Sequence, residues 1–235
     1  MAINMALAAT RTGTRVGFVS AEQPGSQIAQ RMLSLLSGIP AVRLRNPREM
    51  QESDWPMLTK AVSDLGKQKI EIFDASAPCI GTITDWALNT PGLEILFVDY
   101  LQRIPGMNRR ASRYDQISEV AMGLKNLARE LNIPVVALAQ INRAGVEKGG
   151  MEHIKGSGDI EQEADIVMIL ERDAHEMPDV AQLVLDKNRH GPLAYVPLEF
   201  HVLIMRFIEQ QKQGAVSPVQ VAKQPFKLKL PFQIV

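Results

Sequence analysis

With Cys79 as its only cysteine, the chain has no means of forming an internal disulfide, which excludes a disulfide-stapled secreted scaffold and fits a reducing compartment. Cys79 itself reads as a small buried apolar side chain. An excess of charge is missing too: 26 Lys and Arg are balanced by 26 Asp and Glu, so any basic site has to be local. No apolar run reaches the ~20 residues of a membrane span. The opening MAINMALAAT has no basic region ahead of its apolar residues and carries Asn4 within them, unlike a signal peptide. His153, His175, His190 and His201 are scattered without ligand spacing and have no cysteine pair beside them, which speaks against zinc. These absences leave a soluble cytoplasmic protein as the expectation.

What is present is a chain of 235 residues, 46% hydrophobic, enough for one substantial core. Short β-rich runs alternate with helical patterns. RVGFVS (15–20), KIEIFDAS, LEILFVDY (93–100), IPVVALAQ, ADIVMILER, AQLVLDKNR and AYVPLEF read as strands. LEILFVDY is almost continuously apolar, as a strand covered on both faces requires. MAINMALAAT reads as a helix already under way. QIAQRMLSLLSG spaces Ile28, Met32, Leu33, Leu35 and Leu36 as a helix, with Gly38 as its stop. Further helices are expected over 52–65, around Asp85 with Thr82 or Thr84 as cap, and through ISEVAMGLKNLARELN to Asn132. Trp55 and Trp86 read as packing residues. Strands separated by helices imply right-handed crossovers, hence an α/β fold with a mostly parallel sheet and helices on both faces. The domain is expected to occupy 1–208, and the polar, Pro-punctuated stretch 209–235 to form a mobile tail.

In such a sheet, ligands bind at the carboxyl ends of the strands. Three strands reach that edge with polar residues: Glu22 just past GFVS, Asp99 closing EILFVD, and Gln140 closing VVALAQ. Each alone can be no more than the point where the chain meets water. Together they suit phosphate chemistry. An Asp behind four apolar β-formers can hold Mg²⁺, through water, against a nucleotide's phosphates. A nearby Glu can orient or deprotonate the attacking water, and an amide can sense the γ-phosphate.

The order SAEQP, LEILFVDYLQRI, IPVVALAQINR, GSGDIEQEADIVMILERD, DKNRHGP and MRFIE resembles the motor domain of the DnaB-like replicative helicases over nearly all of 1–208. The resemblance implies a RecA-like P-loop NTPase fold, ATP and Mg²⁺ as cofactors, and catalytic roles for Glu22, Asp99 and Gln140. It implies a homo-hexamer, because Lys187 and Arg189 of DKNRHGP match the cations that face ATP held by the neighbouring subunit. Physically the pair can offset charge on a transferring phosphoryl group, or it can be a solvated hairpin flank beside Gly191 and Pro192. In the family a strand and a GxxxxGK[ST] loop stand immediately before the helix that reads here as AINMALAA, and the loop's backbone and Lys cradle the phosphates. No such motif occurs in this sequence, and the expected reading is truncation ahead of Met1, with deficient ATP binding as the result.

DNA contact is expected from the loops after Asp99 and Gln140. The first carries a local cluster of Arg103, Arg109, Arg110 and Arg113 in a neutral chain. The second, long and Gly-rich, contains Arg143, Lys148 and Lys155. In the resemblance, Lys155, Gly156 and Gly158 present a basic side chain and bare backbone to single-stranded DNA phosphates. Neither loop has aromatics for base stacking, so the grip is expected on phosphates and to be salt-sensitive. Primase and a helicase loader are implied as partners through the family's N-terminal domain, which this sequence lacks. A non-catalytic oligomerisation or DNA-binding remnant, and a RecA-like recombinase or clock-type ATPase, remain the alternatives.

Overall fold

The protein is described from a computed structural model covering residues 1–76, 78–108, 110–140, 163–210 and the backbone of 232–234. The elements run α1 (Ala2–Arg11), β1 (Val16–Ser20), α2 (Gly25–Ser37), α3 (Ala41–Arg45), α4 (Asp54–Gly66), β2 (Ile70–Phe73), α5 (Ile80–Leu88), β3 (Ile95–Asp99), α6 (Arg113–Leu131), β4 (Val135–Ala139), β5 (Ile166–Arg172), β6 (Val180–Asn188), β7 (Ala194–His201), β8 (Arg206–Glu209) and β9 (Phe232–Ile234). Among the described residues they form one sheet in the order β2-β1-β3-β4-β9-β5-β6-β7-β8.

The α/β architecture expected from the strand and helix patterns is present. Its parallel part is β2-β1-β3-β4, where α2 to α4, α5 and α6 supply the crossovers. The strands β5 to β8 form an antiparallel meander instead, because the segments joining them are too short for a crossover helix. Alternation along the central strands sorts the core into two layers. Val19, Leu96, Val98, Ala137 and Ala139 face α5 and α6. Val16, Phe18, Phe97 and Leu138 face α1 and α2. Phe18 and Phe97 stack with ring centroids 6.2 Å apart in that second layer.

The helix ends follow their local chemistry. Gly38 closes α2 at φ 76° and Asn132 closes α6 at φ 53°, both left-handed, as the sequence leads one to expect. Ser112 caps α6 by accepting from the Asp115 amide, and its hydroxyl donates to the Asp115 carboxylate at 2.7 Å. Asp74, just past β2, accepts from the Gly25 amide at 2.7 Å and so places an acid at the positive end of α2.

Several expectations are corrected. The third helix begins at Ile80, ahead of Thr82 and Thr84; Cys79 is its N-terminal boundary and Thr82 Oγ1 donates back to the Cys79 carbonyl at 2.9 Å. Cys79 is therefore half-exposed rather than core, and the Thr82 amide beside its sulfur pushes the thiol below its usual range. Trp86 does pack, stacking on Phe73 at 5.2 Å, but Trp55 is 52% exposed because α4 buries Asp54 and Ala61 instead. Of the stretch expected to be a tail, Phe232–Ile234 pairs with β4 and β5, and 211–231 lie outside the described residues. Among the described residues no helix is long and apolar enough to cross a membrane.

Asn4, the polar residue inside the apolar opening helix, pins the two halves together. Its Nδ2 donates to the Met205 carbonyl at 3.0 Å and its Oδ1 accepts from the Phe207 amide at 3.1 Å, across the β7–β8 turn where Met205 is held at φ 54°. Asn4→Ala is expected to lower stability by about 1–3 kcal/mol, since two backbone groups lose their partner. For a chain of this size each kcal/mol reads as about 2–4 °C in Tm; an unshifted melt would show that the pin does nothing.

Candidate active site

The register of the parallel strands decides where the polar strand ends meet. Ser20 lies opposite Asp99, and Val98 opposite Ala137, so β1, β3 and β4 finish at one rim. Asp99 is the last residue of β3, Glu22 lies two residues past β1, and Gln140 follows β4 directly. The Ala21 amide donates to the Asp99 carbonyl at 2.8 Å, which draws the Glu22 turn against the end of β3. Ser20, 2% exposed, donates from its hydroxyl to the Gln23 carbonyl at 2.6 Å and folds SAEQ back over the strand end.

Gln102, which sequence reading passed over, holds this rim together with the loop arginines Arg103 and Arg113. Gln102 clasps Gln140 reciprocally: its Nε2 donates to the Gln140 carbonyl at 3.0 Å and its Oε1 accepts from the Gln140 amide at 3.1 Å. Arg113 in turn donates to the Gln102 carbonyl. Arg103, read only as one member of a basic loop, reaches Glu22 Oε1 at 3.5 Å. Two of the four arginines of that cluster thus brace the rim. Arg110 is exposed, and its amide donates to Asn108 Oδ1 at 3.1 Å. Arg109, Arg143, Lys148, Lys155, Gly156 and Gly158 lie outside the described residues.

Behind the rim is a cavity of about 220 Å³ whose lining includes Met1, Asn4, Arg31, Asp99, Leu138 and Leu170. Burial pushes the Asp99 carboxyl up, while the Met1 α-amine and the Arg31 guanidinium pull it down and Glu22 pushes it up. Burial lowers that amine to about 6. A buried carboxylate held above its ordinary range gains from a divalent cation, which restores its charged form. Asp99 therefore suits Mg²⁺. No GxxxxGK[ST] motif occurs in the sequence.

Lys187 and Arg189 are elsewhere. Because β9 is antiparallel to both β4 and β5, β5 runs parallel to β4, and the end of β6 lies beside the start of β5, with Asn188 opposite Ile166. The basic pair thus stands at the rim opposite Asp99 and Gln140. Asp165 organises it, accepting from Arg189 Nη1 at 3.0 Å and, through its carbonyl, from the Arg189 amide at 2.9 Å. Lys125 of α6 donates to the same carboxylate and, with Arg189, holds it below the usual range. Asn188 braces the turn by donating to the Pro192 carbonyl at 3.1 Å and accepting from the His190 amide at 3.1 Å.

Residues 1–209 match the family model of the DnaB-like helicase C-terminal domain. The chain belongs to that family. It is 36% identical over 212 residues to the replicative DNA helicase DnaB of Treponema pallidum, an alignment covering 88% of this chain and 47% of the relative. The chain thus spans about half the length of the curated relatives it matches. Among solved structures, a DnaB-like replicative helicase described with its primase interactions superposes at TM-score 0.84 and 28% identity, covering 89% of this chain and 55% of that one. The ATPase domain of G40P matches equally well, at TM-score 0.84 and 28% identity over 89% of this chain and 79% of that domain. This DnaB-like domain accordingly has a RecA-like α/β fold.

Proposed function

We propose that the chain is the motor portion of an ATP-driven replicative DNA helicase that works in the cytoplasm as a homo-hexamer and translocates on single-stranded DNA. The observation that best supports this reading is the convergence of Glu22, half-buried Asp99 and Gln140 on one strand-end rim with Arg189 on the other. ATP and Mg²⁺ would supply the transferable phosphoryl group and the positive charge that offsets it. Asp99 would hold the ion through water. Glu22, steered by Arg103, takes the proton of the attacking water. Gln140 reports on the phosphate end of the site, and its clasp with Gln102 joins that report to the segment following β3. Lys187 and Arg189 cannot serve the rim of their own subunit from the far side of the sheet, so they stabilise charge in a neighbour's site. Arg109, Arg110, Lys155, Gly156 and Gly158 grip DNA phosphates, a contact that weakens as salt rises. Primase and a loader are partners through the N-terminal domain found in the family.

The test compares the 235-residue chain with the same chain preceded by the strand and GxxxxGK[ST] loop of a DnaB relative. The longer protein is expected to hydrolyse ATP and open a forked duplex, and the 235-residue chain to bind MgATP poorly and turn it over very slowly. Brisk hydrolysis by the 235-residue chain would refute the assignment of the phosphate cradle. Assembly or DNA binding by both proteins with turnover by neither would favour a non-catalytic remnant, a reading supported by the missing loop motif.

A further inference from the structure

The end of β6 that carries the basic pair is framed on several sides. Val167 of β5 lies opposite Lys187 but Met168 lies opposite Leu185, so Asp186 is one extra residue, a bulge set directly before the pair. Bulges bend a strand and re-aim the side chains beyond them. Three elements then meet at Arg189. Asp165, immediately before β5, holds it at both ends: the Asp165 carbonyl accepts from the Arg189 amide at 2.9 Å, and carboxylate Oδ1 accepts from the guanidinium Nη1 at 3.0 Å. The other carboxylate oxygen, Oδ2, accepts from Nζ of Lys125 on α6. That anchor is firm, because α6 is capped by Ser112 and buries Val120, Ala121, Leu124 and Leu127 around a Lys125 side chain that is itself only 22% exposed. An ion pair as exposed as that of Asp165 and Arg189 adds little to stability, so stability does not account for the framing. Arg189 keeps 48% of its side chain exposed within the grip, which therefore orients the cation without enclosing it.

We propose that Asp165 is a positioning residue for the reaction, holding the Arg189 guanidinium in the pose from which it reaches a neighbouring subunit's phosphates, and that Lys125 fixes Asp165 in turn. This rests on the reading of Arg189 as a cation supplied across a subunit boundary. An arginine side chain left in water samples many rotamers, and closing on a phosphoryl group would freeze them during the chemical step. Tethered at its amide and at Nη1, Arg189 has given up much of that freedom beforehand, so less is lost on the way to the transition state. The planar fork of a guanidinium lets one terminal nitrogen hold a carboxylate while the other turns outward. Lys125 makes the hold directional: with Oδ2 engaged by α6, Oδ1 is the oxygen presented to Arg189.

The grip and its purpose are tested separately. In the 235-residue chain the Asp165 carboxyl is followed by carbon NMR as pH is varied. Arg189→Ala is expected to move its titration upward, toward the ordinary carboxylate range, and Lys125→Met to do the same, since each removes a cation that holds it down. A titration unmoved by Arg189→Ala overturns the grip, and one unmoved by Lys125→Met overturns the part given to Lys125. Purpose is read by single-turnover hydrolysis in the protein carrying the added strand and GxxxxGK[ST] loop. Asp165→Asn is expected to slow hydrolysis by about 10–100-fold with the KM for ATP changed far less, while the Tm stays within about 2–4 °C. Asp165→Glu, which keeps the charge one methylene further out, should recover part of the loss. Because Asp165 acts through Arg189, adding Asp165→Asn to Arg189→Ala should cost nothing further. Equal losses in the two backgrounds, or full activity of Asp165→Asn, overturn the proposal. Full turnover by Arg189→Ala sinks the reading of Arg189 and the proposal with it, an outcome told apart from loss of the grip by the titration. If Asp165→Asn does not fold, Lys125→Met is carried through the same two backgrounds: a loss confined to the one that retains Arg189 supports the proposal, and equal losses refute it.

Discussion

Asp99→Asn is expected to raise the Tm of the chain by about 2–4 °C at neutral pH, or ~1 kcal/mol for a protein of this size, while abolishing hydrolysis in the loop-bearing protein. Burial pushes the Asp99 carboxyl up, so folding disfavours its ionised form. A carboxyl raised in the folded state costs least when both states are protonated, below the usual carboxylate range, and costs progressively more as pH rises through its folded value. The advantage of Asn should therefore shrink on acidification, and melts at pH 7 and pH 4 would show it. Glu22→Gln separates the two acids: hydrolysis should fall by about 10²–10⁴ with nucleotide binding retained, whereas Asp99→Ala should lose both. Equal loss of binding in the two variants, or a lower Tm for Asp99→Asn at neutral pH, would contradict the division of labour.

Arg189→Ala in the loop-bearing protein should cost about 10³–10⁵ in turnover, the range of a cation supplied to a transferring phosphoryl group. Since Arg189 stands at the rim opposite Asp99, the loss should be rescued in mixed assemblies by subunits whose own Asp99 is replaced, each mutant supplying what the other lacks. Absence of rescue would place Arg189 in its own subunit's chemistry or outside chemistry altogether. Arg189→Lys should keep less activity than the wild type, because an ammonium lacks the second guanidinium nitrogen with which Arg189 can reach out while Nη1 holds Asp165.

Much of this fold is legible in the sequence because buried parallel strands read as unbroken apolar runs and helix ends announce themselves through residues such as Gly38 and Asn132. The polar ends Glu22, Asp99 and Gln140 are legible for the same reason, as interruptions of those runs. The braces are not. Gln102 and Gln140 lie 38 positions apart, and Asn4 and Met205 lie 201 apart, so nothing local announces either pairing. Asn4 is visible as an oddity in an apolar helix, but its partners are visible only in the folded chain. The polar, proline-marked composition after 208 pointed to a tail, and nothing in it announces the pairing of Phe232–Ile234 with β4 and β5. The antiparallel half was readable too, from the absence of any helical pattern between β5 and β8.

In mechanical terms the sheet consists of two stiff plates joined along a soft seam. Each plate is stitched by ladders of three to seven residue pairs, while Phe232–Ile234 gives the seam two or three rungs on either side. Load passed from one neighbour to the next would enter through Arg189 on one plate and leave through Asp99 on the other, so its compliance would be concentrated where the stitching is thinnest.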